Sequence, residues 1–189
     1  MPNRSAALAP DLIISVKSME RRPGTSRQQS IEFPAPANLG TAVIGIPEGQ
    51  AVELQLLLES VLEGVLATGT VRSGAQGECV RCLGPVEFPV EATFQELYVY
   101  PERAYAAADA GDRDQDQLEV VEDQLDLNPP VRDAVILALP FGPLCREDCE
   151  GLCSECGTPL GQEPGHAHQA VDPRWAVLED LLEDRREES

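Results

Sequence analysis

The segment from Cys145 to Cys156, written CREDCEGLCSEC and followed at once by Gly157, constrains this chain more than any other stretch. Four of the six cysteines stand there, with three, three and two residues between them. Cys79 and Cys82 form another Cys-x-x-Cys far upstream, and the only two histidines, His166 and His168, follow shortly downstream. Eight soft or borderline metal ligands clustered in this way are not ordinary core residues. They read as metal staples, and staples dictate which distant segments of a chain must meet.

The rest of the composition suits a fold that needs staples. Apolar residues make up 42% of the 189 positions but aromatics only 4%, so the core must be built from Val, Leu and Ala. The 15 glycines and 16 prolines imply many turns, which favours an α+β chain over a helix bundle. No apolar run approaches the roughly 20 residues needed to span a bilayer. The opening MPNRSAALAPDLIIS carries Asp11 inside its apolar stretch, so neither export nor membrane insertion is expected and the cytoplasm is the expected location. In that reducing compartment Cys-x-x-Cys pairs serve as metal ligands or redox centres rather than disulfides.

The formal charge of −19 is uneven. Residues 1–82 hold 8 acidic and 7 basic residues, whereas residues 83–189 hold 25 and 7. Nucleic-acid affinity rests on Lys and Arg neutralising phosphates, so the second part is unsuited to non-specific RNA binding and better matched to a basic protein. The only positive cluster, Lys17, Arg21, Arg22 and Arg27, falls in a loop marked by Pro23-Gly24 and can touch RNA.

Residues 12–16 read as a short strand and Ile31–Phe33 as a second, closed by Pro34 and Pro36. Residues 51–62 match both helical and strand templates; the Gly/Thr/Val-rich GVLATGTVRS that follows favours an extended segment. Val86, Phe88, Val90, Ala92 and Phe94 alternate with polar residues as in a half-buried strand, and Pro89 indicates an edge or a bulge. Leu97–Tyr100 break the alternation, as a bulge or a strand end would. Cys79 and Cys82 then lie at a turn between antiparallel strands. Residues 102–117 read as an acidic surface loop, Leu118–Val121 as a short returning strand, and Val131–Leu139 as a central helix announced by Asn128-Pro129-Pro130 and ended by Pro140. Asp172-Pro173 opens a terminal helix to about Asp184 with Trp175, Leu178, Leu181 and Leu182 on one side.

The expected architecture is thus an α+β fold: an antiparallel β-meander with a zinc-bound Cys turn, a central helix, a Cys/His zinc knuckle and a C-terminal helix. Residues 1–140 form the sheet and central helix; residues 141–189 form the Cys/His-rich module and terminal helix packed on the same domain.

Two divisions of the ligands are open. In one, Cys145, Cys149, Cys153 and Cys156 make a local site and Cys79 with Cys82 stands apart. In the other, Cys79 and Cys82 join Cys145 and Cys149, while Cys153 and Cys156 join His166 and His168. The second is preferred because it leaves no orphan thiol and pairs each Cys-x-x-Cys with a second dyad. One or two structural zinc ions are expected, and a closed four-ligand sphere has no open position for catalysis. A thioredoxin-like role would need Cys79-Val80-Arg81-Cys82 at a strand-to-helix junction, but a strand follows. A zinc hydrolase motif is absent from the sequence, and the acids around Cys145–Cys156 do not suit a nucleic-acid finger.

Glu78-Cys79-Val80-Arg81-Cys82-Leu83, the helix ending in Leu139-Pro140, Cys145…Cys149-Glu150-Gly151-Leu152-Cys153…Cys156-Gly157 and Asp172-Pro173-Arg174-Trp175 together resemble the YceD family, from about residue 50 to residue 182. The resemblance implies a non-enzymatic bacterial or plastid factor for accumulation of large-subunit ribosomal RNA, acting on the immature large ribosomal subunit. Many relatives carry Cys-x-Cys where this chain has His166-Ala167-His168, which supports the histidines as ligand replacements, and some lack the last ligand group. The alternative is a redox or metal-dependent enzyme using Cys79 and Cys82.

Overall fold

Alternation of buried and exposed side chains builds the long strands. The computed structural model describes residues 12–19, 21–102 and 117–168. The chain divides into two units, Met1–Glu147 and Asp148–Ser189. Among the described residues of the first, strands β1 (Ile13–Ser15), β2 (Ser26–Pro34), β3 (Leu39–Gly40), β4 (Ile44–Ile46), β5 (Ala51–Ser60), β6 (Gly64–Glu78), β7 (Pro85–Val99) and β8 (Gln124–Asp126) precede the helix α1 (Asn128–Ala138). All pairings between these strands are antiparallel.

β5 settles the ambiguous segment as a strand. Val52, Leu54, Leu56 and Leu58 point to one side and are almost wholly buried, while Ala51, Glu53 and Gln55 are exposed. A helix would have scattered these leucines around its surface; the two-residue period gathers them on one face.

β6 is the spine. Along one side it pairs with β7 over its full length, from Gly64 opposite Val99 to Glu78 opposite Pro85. Along the other it pairs first with β5 and then with β4, so the order is β2-β5-β6-β4-β3 with β7 on the far side of β6. β5, β6 and β7 form the expected meander; β2 and the β3–β4 hairpin enlarge it into a curled sheet. Gly69 lies opposite Phe94, and a Cβ there would meet the Phe94 ring at 2.3 Å, so glycine leaves the space the ring fills.

Some sequence expectations hold and others are corrected. β6 and β7 keep one unbroken register, so Leu97–Tyr100 mark the strand end and no bulge forms. Pro89 lies on β7, which is bordered along this stretch by β6 alone. Leu118–Val121 form only isolated bridges, Val99 with Glu119 and Val121 with Gln124; the strand proper is β8, which pairs with β1. Arg27 belongs to β2 rather than to the loop. The loop at 102–117 lies largely outside the described residues, and the terminal helix lies wholly outside them.

α1 begins three residues earlier than expected because Pro129 and Pro130 sit inside its first turn, where a missing N–H costs nothing. Asp126 Oδ1 accepts hydrogen bonds from the Asn128 backbone N–H at 2.9 Å and from Asn128 Nδ2 at 2.8 Å. Leu139, extended at ψ 142°, ends the helix as a residue before proline must. Val131 and Val135 are buried and join the core of Leu54, Leu56, Leu58, Val71, Tyr98 and Leu125. The Tyr98 hydroxyl donates to the Asp126 carbonyl at 2.6 Å, and burial holds its pKa far above the ordinary phenol value.

Leu54→Ala is expected to destabilise the protein by about 2–5 kcal/mol, because β5 is flanked on both sides and cannot collapse into the gap. Gln55→Ala, one residue along on the exposed face, is expected to stay within about 0.5 kcal/mol of wild type. Urea unfolding of the two variants checks the contrast.

Candidate metal centres

Two turns of the same construction present the Cys-x-x-Cys pairs. In the β6–β7 connection, the Leu83 N–H donates to the Cys79 carbonyl at 2.9 Å and the Cys79 N–H donates to the Gly84 carbonyl at 2.8 Å. In the second unit, the Gly157 N–H donates to the Cys153 carbonyl at 2.9 Å and the Cys153 N–H to the Thr158 carbonyl at 2.8 Å. The residue after the second cysteine is left-handed in both, Leu83 at φ 57° and Gly157 at φ 75°. Glycine adopts that conformation freely, whereas leucine does so at a cost of roughly 1–2 kcal/mol.

Around the first turn, the Val80 N–H donates to the Pro143 carbonyl at 2.9 Å, and Arg81 Nη1 donates to the Glu147 carbonyl at 3.3 Å. These bonds hold the segment after α1 beside the turn. The sulfurs of Cys79, Cys82, Cys145 and Cys149 lie within 4.8 Å of one another, Cys79 and Cys149 being buried. Backbone N–H groups, that of Cys82 foremost, lower the Cys79 thiol pKa to about 6.

The second group is Cys153, Cys156, His166 and His168, again with ligand atoms within 4.8 Å of one another. The two Nε2 atoms stand 2.8 Å apart, and each is 3.2 Å from Cys156 Sγ. The Thr158 hydroxyl, 3.2 Å from Cys156 Sγ, is the main cause of a Cys156 pKa lowered to about 6. The Cys156 backbone N–H lowers Cys153 in the same direction. The thiolates of Cys153 and Cys156 raise the pKa of His166, and that of Cys156 foremost raises His168.

Both donor sets fit a tetrahedral ion. Two thiolates on one ion at about 2.3 Å stand roughly 3.8 Å apart. Cys82 and Cys145 Sγ are separated by 3.7 Å, and none of the six cysteines is joined in a disulfide. Two sulfurs plus two imidazole nitrogens likewise make a set of zinc type. All eight residues singled out from sequence therefore fall into two groups, divided as in the second arrangement, and each group could hold a metal ion. Glu155, Glu163 and Thr158, which touch or flank the second group, escaped sequence reasoning; the three-residue offset of Glu163 from His166 was the one available signal.

The four cations named from sequence do not form a free cluster. Arg21 pairs with Glu102 at 3.4 Å and Asp123 at 3.3 Å and lies over the Tyr100 ring at 4.7 Å. Arg27 donates to the Ser15 carbonyl at 2.8 Å and to Ser18 Oγ at 3.1 Å. Lys17 and Arg22 are exposed. Among the described residues, no helix is long and apolar enough to cross a membrane.

The molecule is thus of a definite class, a curled antiparallel β protein carrying two four-ligand Cys/His groups. A sequence profile described as "Large ribosomal RNA subunit accumulation protein YceD" matches residues 67–182, and the chain belongs to that family. It is 42% identical over 181 residues to an uncharacterized protein of Mycobacterium tuberculosis, covering 96% of this chain and 86% of that one. An uncharacterized protein of Mycobacterium leprae is 40% identical over 171 residues, covering 90% and 77% of the two chains. The protein YlbN of Bacillus subtilis is 31% identical over 108 residues, covering 55% and 58%. No solved structure matches the chain.

Metal ligation requires thiolates, so protons compete with the ion. Because the Cys79 and Cys156 pKa values are lowered, the thiolate form prevails at neutral pH and is lost as pH falls through about 6. Metal occupancy, followed with a chelating dye, is expected to fall as the pH is lowered, because protons compete with the ion for the sulfurs.

Proposed function

We propose that this protein is a non-enzymatic factor for accumulation of large-subunit ribosomal RNA, acting in large ribosomal subunit biogenesis and stabilised by two structural zinc ions. The carrying observation is the family match over residues 67–182, a span that contains all eight ligands. Four protein ligands at each ion leave no open coordination position, which favours a structural over a catalytic role. The position of Cys79 and Cys82 in a hairpin connection, with strand on both sides, weighs against a thioredoxin-like redox pair.

The acidic balance after residue 82 suits a basic ribosomal protein as the contact on the immature subunit. RNA contact is assigned to the cluster of Lys17, Arg21, Arg22 and Arg27 near the N-terminus, in which Arg21 and Arg27 are also bonded within the fold. Such a factor works in the cytoplasm, where subunits are assembled.

Depletion in the source cell is expected to lower large-subunit RNA and the ratio of free large to small subunits on a sucrose gradient; an unchanged profile would overturn the proposal. Elemental analysis of the purified protein is expected to give two zinc ions per chain, falling to one in Cys156→Ser. A reversible Cys79–Cys82 disulfide in a metal-free native protein would instead support redox chemistry.

A further inference from the structure

Each histidine of the second group has a carboxylate on the side away from the ligand cluster. His166 Nδ1 is 3.1 Å from Glu163 Oε2, and His168 Nδ1 is 3.6 Å from Glu155 Oε2. We propose that Glu163 is a positioning residue that fixes His166 in the tautomer offering Nε2 to the ion, and that the charge of Glu155 favours the same tautomer at His168 without a direct hydrogen bond. The inference rests on reading the second group as a metal site.

A neutral imidazole has one N–H and one lone pair, and the partner of one nitrogen decides which it carries. An ionised carboxylate only accepts, so Glu163 requires the proton on His166 Nδ1 and leaves the lone pair on Nε2. That Nε2 is the atom aimed at the cluster, 3.2 Å from Cys156 Sγ and 2.8 Å from His168 Nε2. His168 is oriented in the same sense, its Nε2 3.2 Å from Cys156 Sγ and its Nδ1 on the side of the Glu155 carboxylate. With both Nδ1 atoms protonated, two lone pairs and a thiolate converge on one point. Such a convergence is repulsive unless a cation occupies it.

The two carboxylates are held differently. Glu163 follows the 3-10 turn Leu160–Gln162, and its carbonyl accepts the His166 backbone N–H at 3.0 Å, so one short turn sets both ends of the pair. Glu155 lies inside the Cys153–Cys156 turn, and its 3.6 Å separation is too long for a direct hydrogen bond. Glu163 therefore carries the larger effect. The Glu163 and Glu155 side chains are 61% and 48% exposed, so replacing either leaves the packing intact.

The test uses the full chain loaded with zinc. Chelator competition resolves the release of each ion, and nitrogen NMR of the imidazoles reports the tautomer. Glu163→Ala is expected to weaken one of the two ions by about 10–100-fold, as loss of an outer-shell partner typically does. Glu163→Gln, whose amide oxygen still accepts the Nδ1–H, is expected to lose less, and Glu155→Ala less than Glu163→Ala. In wild type the spectra should show protonated Nδ1 and metal-bound Nε2 at both histidines; in Glu163→Ala, His166 should lose that preference. Wild-type affinity in Glu163→Ala, or Nδ1 as the bound nitrogen, would overturn the assignment while leaving the zinc reading intact. A wild-type chain that takes up no zinc at Cys153, Cys156, His166 and His168 would overturn both.

Discussion

Backbone hydrogen bonding along both sides of Gly64–Glu78 is the constraint on which the rest of the first unit depends. A strand paired on both sides has no slack: β7 must run back along one side in a single register, and β5 and β4 must share the other. Because side chains alternate, that pairing decides at once which residues of all four strands face the core. It also decides where Cys79 falls. The cysteine is the first residue beyond the spine, and its sulfur is fixed by the end of a ladder rather than by a free loop.

The chemistry of the ligand groups follows from the same local geometry. Each Cys-x-x-Cys turn folds its own backbone N–H groups toward the first cysteine, which favours the thiolate before any ion arrives. Sulfurs whose thiolate form is favoured, gathered within 4.8 Å of the other ligand atoms of their group, could hold a soft cation. The family match, over a span that contains both groups, ties the chain to a family named for accumulation of large ribosomal RNA.

Sequence made β7 legible because alternation over many residues is a strong signal, while β6 was read from its Gly/Thr/Val content and β5 only from that neighbouring context. Short elements were not. β3 has two residues and β4 three, too few for any period, and Gly40 against Gly45 shows pairing by backbone contact rather than by side-chain pattern. The turn at Glu122-Asp123 was invisible for a different reason. Both residues are left-handed, at φ 52° and 58°, a conformation usually announced by Asn or Gly, and here imposed by the Val121–Gln124 bridge. The ligand division was legible by counting thiols, since of the two divisions weighed only one leaves none over. Glu155 and Glu163 were hidden among many other acids, because proximity to a histidine ring is a property of the folded turn.

The two ligand groups match in number of donors yet differ in how much chain they enclose. Cys82 and Cys145 are 63 residues apart, whereas Cys156 and His166 are 10 apart. An ion linking the first pair would therefore restrict the denatured ensemble more strongly, by roughly 1.5 kcal/mol of additional loop-closure entropy. Two ions alike in the native protein would not be alike in the chain before it folds. One shortens the search for a long-range contact, and the other only tightens a turn that the local sequence already brings close.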